Sequence, residues 1–411
     1  MMNGNTLLFA GLLTGAALLG NAADFFRTDE DPGKDLPADK IYPQGRIFPY
    51  TGFQPRNVAM LKDAGFTMAG PGYGRKHIIV LSNEAKKLNF PFVCTIAAEG
   101  ITKENLANHA KIDWEKIRKD VARQVKDAAA SYPNIAWWYL QPEELRFWRP
   151  NEYRYLKEVY ETIRNSDPLK RPVWMYNPNH YDLSALQKYV PYMDIMGKGM
   201  YTSHSGNREQ RSWGRWSSEN QVRAIQECKS DAVPICVPEM FEEHPVALVG
   251  KYVRHDVYLS LICGSKGVVI FSIAERPSMS KAVHQAYLNA YSKVAKELKL
   301  LGEVFLFGLD RRDLKGVFVS GPSEQNITLA GRPKKRIACP TMTYCEKLTK
   351  SGRYLFAVNS AETPLVFRFE KLPVARILDA LTNREIAVCE NGALELKFEP
   401  LEVKLLKLVR K

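Results

Sequence analysis

Eight short apolar runs, each followed by a stretch of helical period, occupy the first three quarters of the chain, and few folds accept that pattern. The runs are Arg46–Tyr50, Phe66–Gly70, Pro91–Ile96, Ile135–Leu140, Arg171–Asn177, Asp194–Tyr201, Val233–Glu239 and Gly267–Ile273. Between them, apolar residues recur every three to four positions over 54–64, 78–88, 112–130, 151–165, 182–189, 218–228, 246–263 and 281–301, which predicts helices. Strands that are apolar throughout, rather than alternating, are buried on both faces, as in a parallel sheet. Eight such units in about 260 residues predict a closed (β/α)8 TIM barrel. An open doubly wound sheet is the alternative, but it would show a GxGxxG after the first strand, and the chain has none there.

Past Glu303 the helical period stops. Gly316–Ser320, Arg353–Asn359, Leu365–Glu370, Leu394–Glu399 and Glu402–Leu408 are short strand candidates, several of which alternate apolar and polar residues, with turn signals at Ser351-Gly352 and Asn391-Gly392. That is the pattern of half-buried antiparallel strands and predicts a small β-sandwich over 303–411. All seven Trp residues precede it. The tail therefore reads as a structural cover for the barrel rather than a sugar-binding module. At the other end, Leu7–Leu19 is an apolar core followed by small residues up to Ala23, the form of a secretory signal over 1–23. An acidic, Pro-containing lead-in covers 24–45. The barrel is then expected over 46–302, in a secreted or periplasmic protein with no integral membrane segment once the signal is removed.

The net charge of +13 is scattered, with one denser cluster at Arg332–Arg336, and no nucleic-acid-binding motif accompanies it. Seven cysteines lack a CxxC, and seven histidines lack HxxxH or HExxH spacing, so neither a zinc ribbon nor a histidine metal site is supported. A single disulfide among Cys339, Cys345 and Cys389 stays open. The expected working form is a monomer with a glycan substrate, no nucleic-acid partner, no metal and no cofactor.

In a barrel of this kind the active site lies at the C-terminal ends of the strands. Two of the eight runs end in glutamate. The fourth runs out through Gln141-Pro142 into Glu143 and Glu144; the seventh ends at Glu239. Three βα units of about 30 residues each separate them, so both open on the same mouth. Paired carboxylates about 5–5.5 Å apart let one protonate a leaving oxygen while the other attacks the anomeric carbon. The aromatic surroundings of Glu143 favour a raised pKa and the acid role. Glu144 is an alternative acid, expected otherwise to pair with Arg146 or Arg149. Glu242 and Glu243 are alternatives to Glu239. Tyr201, at the end of the sixth run, is the expected hydrogen-bond donor to the nucleophile. Trp138 and Trp174 are candidate sugar-stacking faces, and Asn177, Asn179 and His180 candidate hydroxyl contacts. The polar, basic stretch 202–216 reads as a long functional loop carrying Trp213 and Trp216 as a subsite wall.

With WWYLQPEE (Trp137–Glu144) and PICVPE (Pro234–Glu239) at the fourth and seventh strands, the chain resembles the clan A retaining glycoside hydrolases. The resemblance implies a (β/α)8 barrel, with Glu143 as acid/base and Glu239 as nucleophile. The early run YPQGRIFPY and a C-terminal sandwich are similar to the endo-β-1,3-glucanase members. Two positions depart from the group. Pro142 stands where an Asn that binds the sugar 2-hydroxyl is usual. The eighth strand, ending in FSIAERP, lacks the usual Trp. A binding protein on a glycosidase barrel is the alternative those departures leave.

Overall fold

The computed structural model describes residues 47–108, 111–311, 314–330, 334–350 and 352–411. The expected signal and lead-in lie outside these residues, as do Arg332 and Pro333 of the basic cluster.

Seven parallel strands form the first sheet, in the order β1 (Tyr50–Gly52), β7 (Val268–Ile270), β6 (Val233–Pro238), β5 (Ile195–Met200), β4 (Val173–Asn177), β3 (Ile135–Gln141) and β2 (Phe92–Ala97). The eighth stave closes it. Thr67 and Met68 donate backbone hydrogen bonds to Tyr50 O at 3.0 and 3.3 Å. On the other side Ala69 N donates to Pro91 O at 2.9 Å, and Val93 N to Ala69 O at 2.8 Å. The segment expected as the second strand thus bridges β1 and β2, and the sheet becomes a TIM barrel. β3 is its fourth stave and β6 its seventh.

Outside lie α1 (Val58–Asp63), α2 (Arg75–Lys87), α3 (Lys103–Asn108), α4 (Trp114–Ser131), α5 (Pro150–Ser166), α6 (Leu183–Gln187), α7 (Trp213–Glu227), α8 (Val246–Ile262) and α9 (Lys281–Phe307). Their starts follow the sequence chemistry. Asn57, Asp113, Asp182 and Ser280 each accept from a backbone amide of the first turn, at 3.0, 2.9, 3.0 and 3.3 Å. Pro150 opens α5, where its missing N–H costs nothing. Two boundaries differ from expectation. α9 continues beyond Leu301 to Phe307 because Val304, Phe305, Leu306 and Phe307 are buried against the sandwich. α7 begins at Trp213 rather than Ser218, because Trp213 and Gly214 are buried as its first turn.

Side chains fill the barrel. Phe53, Met68, Val93, Trp137, Tyr139, Trp174, Tyr176, Ile195, Val237 and Val269 form one interior cluster. Gly197 makes room for it: a Cβ there would stand 2.8 Å from the Trp174 ring.

The C-terminal part is β-rich. A six-stranded sheet runs in the order β16 (Glu385–Cys389), β15 (Ala375–Asp379), β18 (Val403–Val409), β13 (Gly352–Asn359), β12 (Met342–Thr349) and β8 (Leu309–Asp310); it faces a three-stranded one of β17 (Ala393–Phe398), β14 (Leu365–Glu370) and β9 (Lys315–Ser320), and a separate hairpin pairs β10 (Glu324–Leu329) with β11 (Lys335–Pro340). Leu355, Phe367, Phe369, Phe398 and Leu406 fill the space between the two sheets. Phe356, Val358, Val403 and Leu405 belong instead to the core shared with the barrel helices. Phe305 of α9 stacks on Phe356 with ring centroids 4.5 Å apart. The seven cysteines are all free, Cys339, Cys345 and Cys389 included.

Candidate active site

Alternation along β3 decides what reaches the mouth. Trp137 and Tyr139 face the barrel interior, and Gln141 and Glu143 follow with the same parity. The Glu143 carboxylate accepts from the Tyr73 hydroxyl at 2.5 Å and also from that of Tyr139. Burial raises its pKa above the ordinary glutamate value, and the two tyrosine hydrogen bonds oppose the rise. Glu144, at φ +56°, turns away and pairs with Lys103 of α3 at 3.2 Å, not with Arg146 or Arg149.

Glu239 continues the inward parity of Ile235 and Val237. Its side chain is 4% exposed. The two oxygens accept from the backbone amides of Ser203 at 2.7 Å and His204 at 3.1 Å. These amides open a tight turn after β5, in which Ser205, Gly206 and Asn207 donate back to Tyr201, Ser203 and Thr202. Burial pushes the Glu239 carboxyl up to about 7, against the pull of Arg211 and of the two amides. Arg211 itself is buried and paired with Asp256, Nε to Oδ1 at 3.1 Å, and Asp256 also meets His255 Nδ1 at 2.8 Å. Glu242 and Glu243 lie farther out. Glu242 faces His204 Nδ1 at 3.2 Å, and Glu243 accepts from the backbone and hydroxyl of Ser280.

Aromatic rings line the mouth between the two glutamates. Tyr176 stacks on Tyr201 at 5.8 Å and on Phe271 at 5.8 Å. Phe241 stands edge-on to Tyr201 at 5.0 Å. Phe271 occupies the end of the eighth strand, where the resemblance leads one to look for Trp, and bridges to Glu239 in the sheet.

Several expected contacts lie elsewhere. Tyr201 reaches the mouth but does not hydrogen-bond Glu239; its buried hydroxyl faces that of Tyr176 instead. Trp138 has the parity opposite to Glu143. It points out to the helices, where its indole N–H donates to Asp167 at 2.9 Å. Trp174 is inside the barrel but fully buried against Tyr139, a floor rather than a stacking face. Asn177 shares the outward parity of Met175 and is fully buried away from the mouth. Asn179 is half-buried, with its backbone amide facing the Tyr176 hydroxyl, and His180 is exposed with its ring against Tyr181 at 4.9 Å. The supposed loop wall is largely buried structure. Trp213 and Trp216 belong to α7, where both rings cover the buried amine of Lys198, 5.7 and 4.1 Å from Nζ. Sequence reasoning missed Tyr73, Tyr139, Phe241, Phe271 and the Ser203 and His204 amides. It also passed over Trp148, which is 56% exposed just beyond Glu143. For Tyr139 the signal was available: it stands four residues before Glu143, on the same side of one strand. Among the described residues no cluster of His, Cys, Asp and Glu could hold a metal ion, and no helix is long and apolar enough to cross a membrane.

No protein-family profile matches the chain, and no curated protein matches it in sequence. Solved structures do. An α-amylase from Anoxybacillus, described as a new glycosyl hydrolase subclass, aligns over 86% of this chain and 89% of its own with TM-score 0.52 and 9% identity. A GH27 β-L-arabinopyranosidase from Geobacillus stearothermophilus, in complex with arabinose, aligns over 92% and 100% with TM-score 0.54 and 9% identity. The AmyP protein in complex with maltotriose gives 90% and 99%, TM-score 0.52 and 9% identity. The chain is therefore similar in fold, across barrel and β-rich domain together, to solved carbohydrate-active enzymes.

Proposed function

We propose that the protein is a secreted retaining β-glycoside hydrolase, with Glu143 as acid/base and Glu239 as nucleophile. The observation that carries this reading is the pair of buried glutamates at the ends of the fourth and seventh staves. Each is held by its own donors: two tyrosine hydroxyls for Glu143, two backbone amides for Glu239. Glu143 protonates the glycosidic oxygen while Glu239 attacks the anomeric carbon. Glu143, then deprotonated, activates the water that releases the sugar. Aromatic rings between them supply apolar faces for pyranose rings. The neighbours' names, α-amylase and arabinopyranosidase among them, support carbohydrate as the substrate class. A narrower version is an endo-β-1,3-glucanase, on the strength of YPQGRIFPY and the barrel-sandwich order.

One observation favours a second reading, a glycan-binding protein without catalysis. Glu239 is nearly sealed, both its oxygens are engaged, and its carboxyl is pushed up to about 7, whereas a nucleophile must be ionised while the acid keeps its proton. Hydrolysis of a panel of aryl β-glycosides and polysaccharides, laminarin included, separates the two. The enzyme reading expects turnover that falls at least about a thousandfold in both Glu143→Gln and Glu239→Gln, in line with other enzymes that lose a catalytic group. Binding without turnover establishes the second reading. Turnover that survives Glu239→Gln removes the nucleophile assignment.

A further inference from the structure

Arg276 follows the eighth strand and folds back across the mouth. Its guanidinium carbon lies 5.2 Å from the Phe241 ring centroid and 5.4 Å from that of Phe271. These rings flank Glu239: Phe271 is its neighbour in the sheet, and Phe241 follows it by two residues. One terminal nitrogen donates to Ser272 Oγ at 3.2 Å, while Nε is buried with no partner.

Four other cations near this mouth each have a carboxylate: Arg211 pairs with Asp256, Arg208 with Glu242, Lys103 with Glu144, and Arg56 with the Glu275 that precedes Arg276. Among the described residues Arg276 has none within 4.0 Å. A guanidinium presents its donors in a planar fork that matches a carboxylate. Apolar ring faces hold that plane in place and lower the local dielectric, so an incoming anion is bound more strongly than in water.

We propose that Arg276, on its Phe241–Phe271 platform, is a subsite for an anionic substituent of the bound glycan, a uronate carboxylate or a sulfate ester. The inference rests on the glycosidase reading and names the substrate class of that site. The net charge of +13 acts in the same sense, by raising the local concentration of acidic glycans.

Calorimetric titration of the Glu143→Gln protein tests it with three probes. These are a glucuronate-bearing β-linked oligosaccharide, the same oligosaccharide with its carboxyls reduced to alcohols, and the reduced form O-sulfated. The acidic form is expected to bind about tenfold more tightly than the reduced form, as one charge-assisted pair supplies. Arg276→Gln in the same background should abolish that preference while leaving the reduced form within twofold. Arg276→Lys, which keeps the charge but loses the fork, should retain only part of it. A preference for the sulfated over the uronate probe identifies sulfate as the source. Equal binding of all three probes, or an anionic preference that survives Arg276→Gln, overturns the subsite and leaves the glycosidase reading standing. Failure of all three probes to bind takes down the glycan reading, and the subsite with it.

Discussion

The Tyr73 hydroxyl donates to the carboxylate of Glu143 at 2.5 Å, joining the segment before α2 to the end of the fourth stave. A donor to a carboxylate favours its charged form, so this contact holds the Glu143 pKa below where burial alone would set it. Tyr73→Phe removes the donor and leaves the ring. The Glu143 carboxyl should then rise, and the basic limb of kcat/KM should move to higher pH, while surviving Tyr139 keeps part of the effect. A pH-rate profile on an aryl β-glycoside reads this, and an unmoved or falling limb removes Glu143 as the acid.

Glu239 ties stability to pH. Its folded carboxyl sits at about 7, above the ordinary glutamate value, chiefly through burial. The folded state therefore holds a proton that the unfolded chain releases. The stabilisation is present below the ordinary glutamate range and is lost as pH rises through about 7. On the order of 2–3 kcal/mol should disappear between about pH 4.5 and pH 7.5. Urea midpoints for wild type and Glu239→Gln check it: the variant should lack this part of the slope.

Trp138→Phe should cost about 1–2 kcal/mol, the loss of a buried hydrogen bond to charged Asp167, with kcat/KM unchanged. Chemical denaturation and steady-state kinetics on the same preparation decide it. A large kinetic defect at wild-type stability would return Trp138 to the mouth.

That side-chain direction was written in the chain. Trp138 sits between Trp137 and Tyr139 on one strand, so a strand carrying those two inward carries Trp138 outward. The same alternation separates Asn177 from Tyr176. Fold was legible because buried parallel strands are apolar on both faces, and because Phe66–Gly70 is apolar with a glycine exit even though it forms only one isolated bridge. Short elements were less visible. α3 buries only Leu106, too little to set a period, and the β10–β11 hairpin is polar along most of its length. The donors to Glu239 left no trace, because a backbone amide has no letter in the sequence: Ser203 and His204 serve through N–H groups that any residue but Pro would offer.

Asp256→Asn should destabilise by about 3 kcal/mol or more, because the fully buried Arg211 loses its charge partner and cannot shed its proton. Thermal or urea unfolding measures this. It should also bring the Glu239 carboxyl down, since Asp256 is a like charge raising it, so the acid limb of activity should shift to lower pH.

Stereochemistry tests the assigned pair together. A double displacement through Glu143 and Glu239 releases the sugar with net retention. A proton NMR time course on a β-linked substrate should show the β-anomer first. The α-anomer first would mean inversion, and one of the two glutamates would then hold another role.

Asn207 ends the turn that cradles Glu239, and its side-chain amide meets the backbone of Thr328 in both directions, donating at 2.9 Å and accepting at 2.8 Å. It is a single rung of a β-ladder made by a side chain, laid between the Glu239 turn and the β10–β11 hairpin. The β-rich region is therefore not a cassette. A chimera that grafts another domain after Phe307 would preserve every barrel strand and still leave the Ser203–His204 turn without its outer brace. The hairpin's backbone and the donors to the seventh-stave glutamate are thus tied together through the same few atoms.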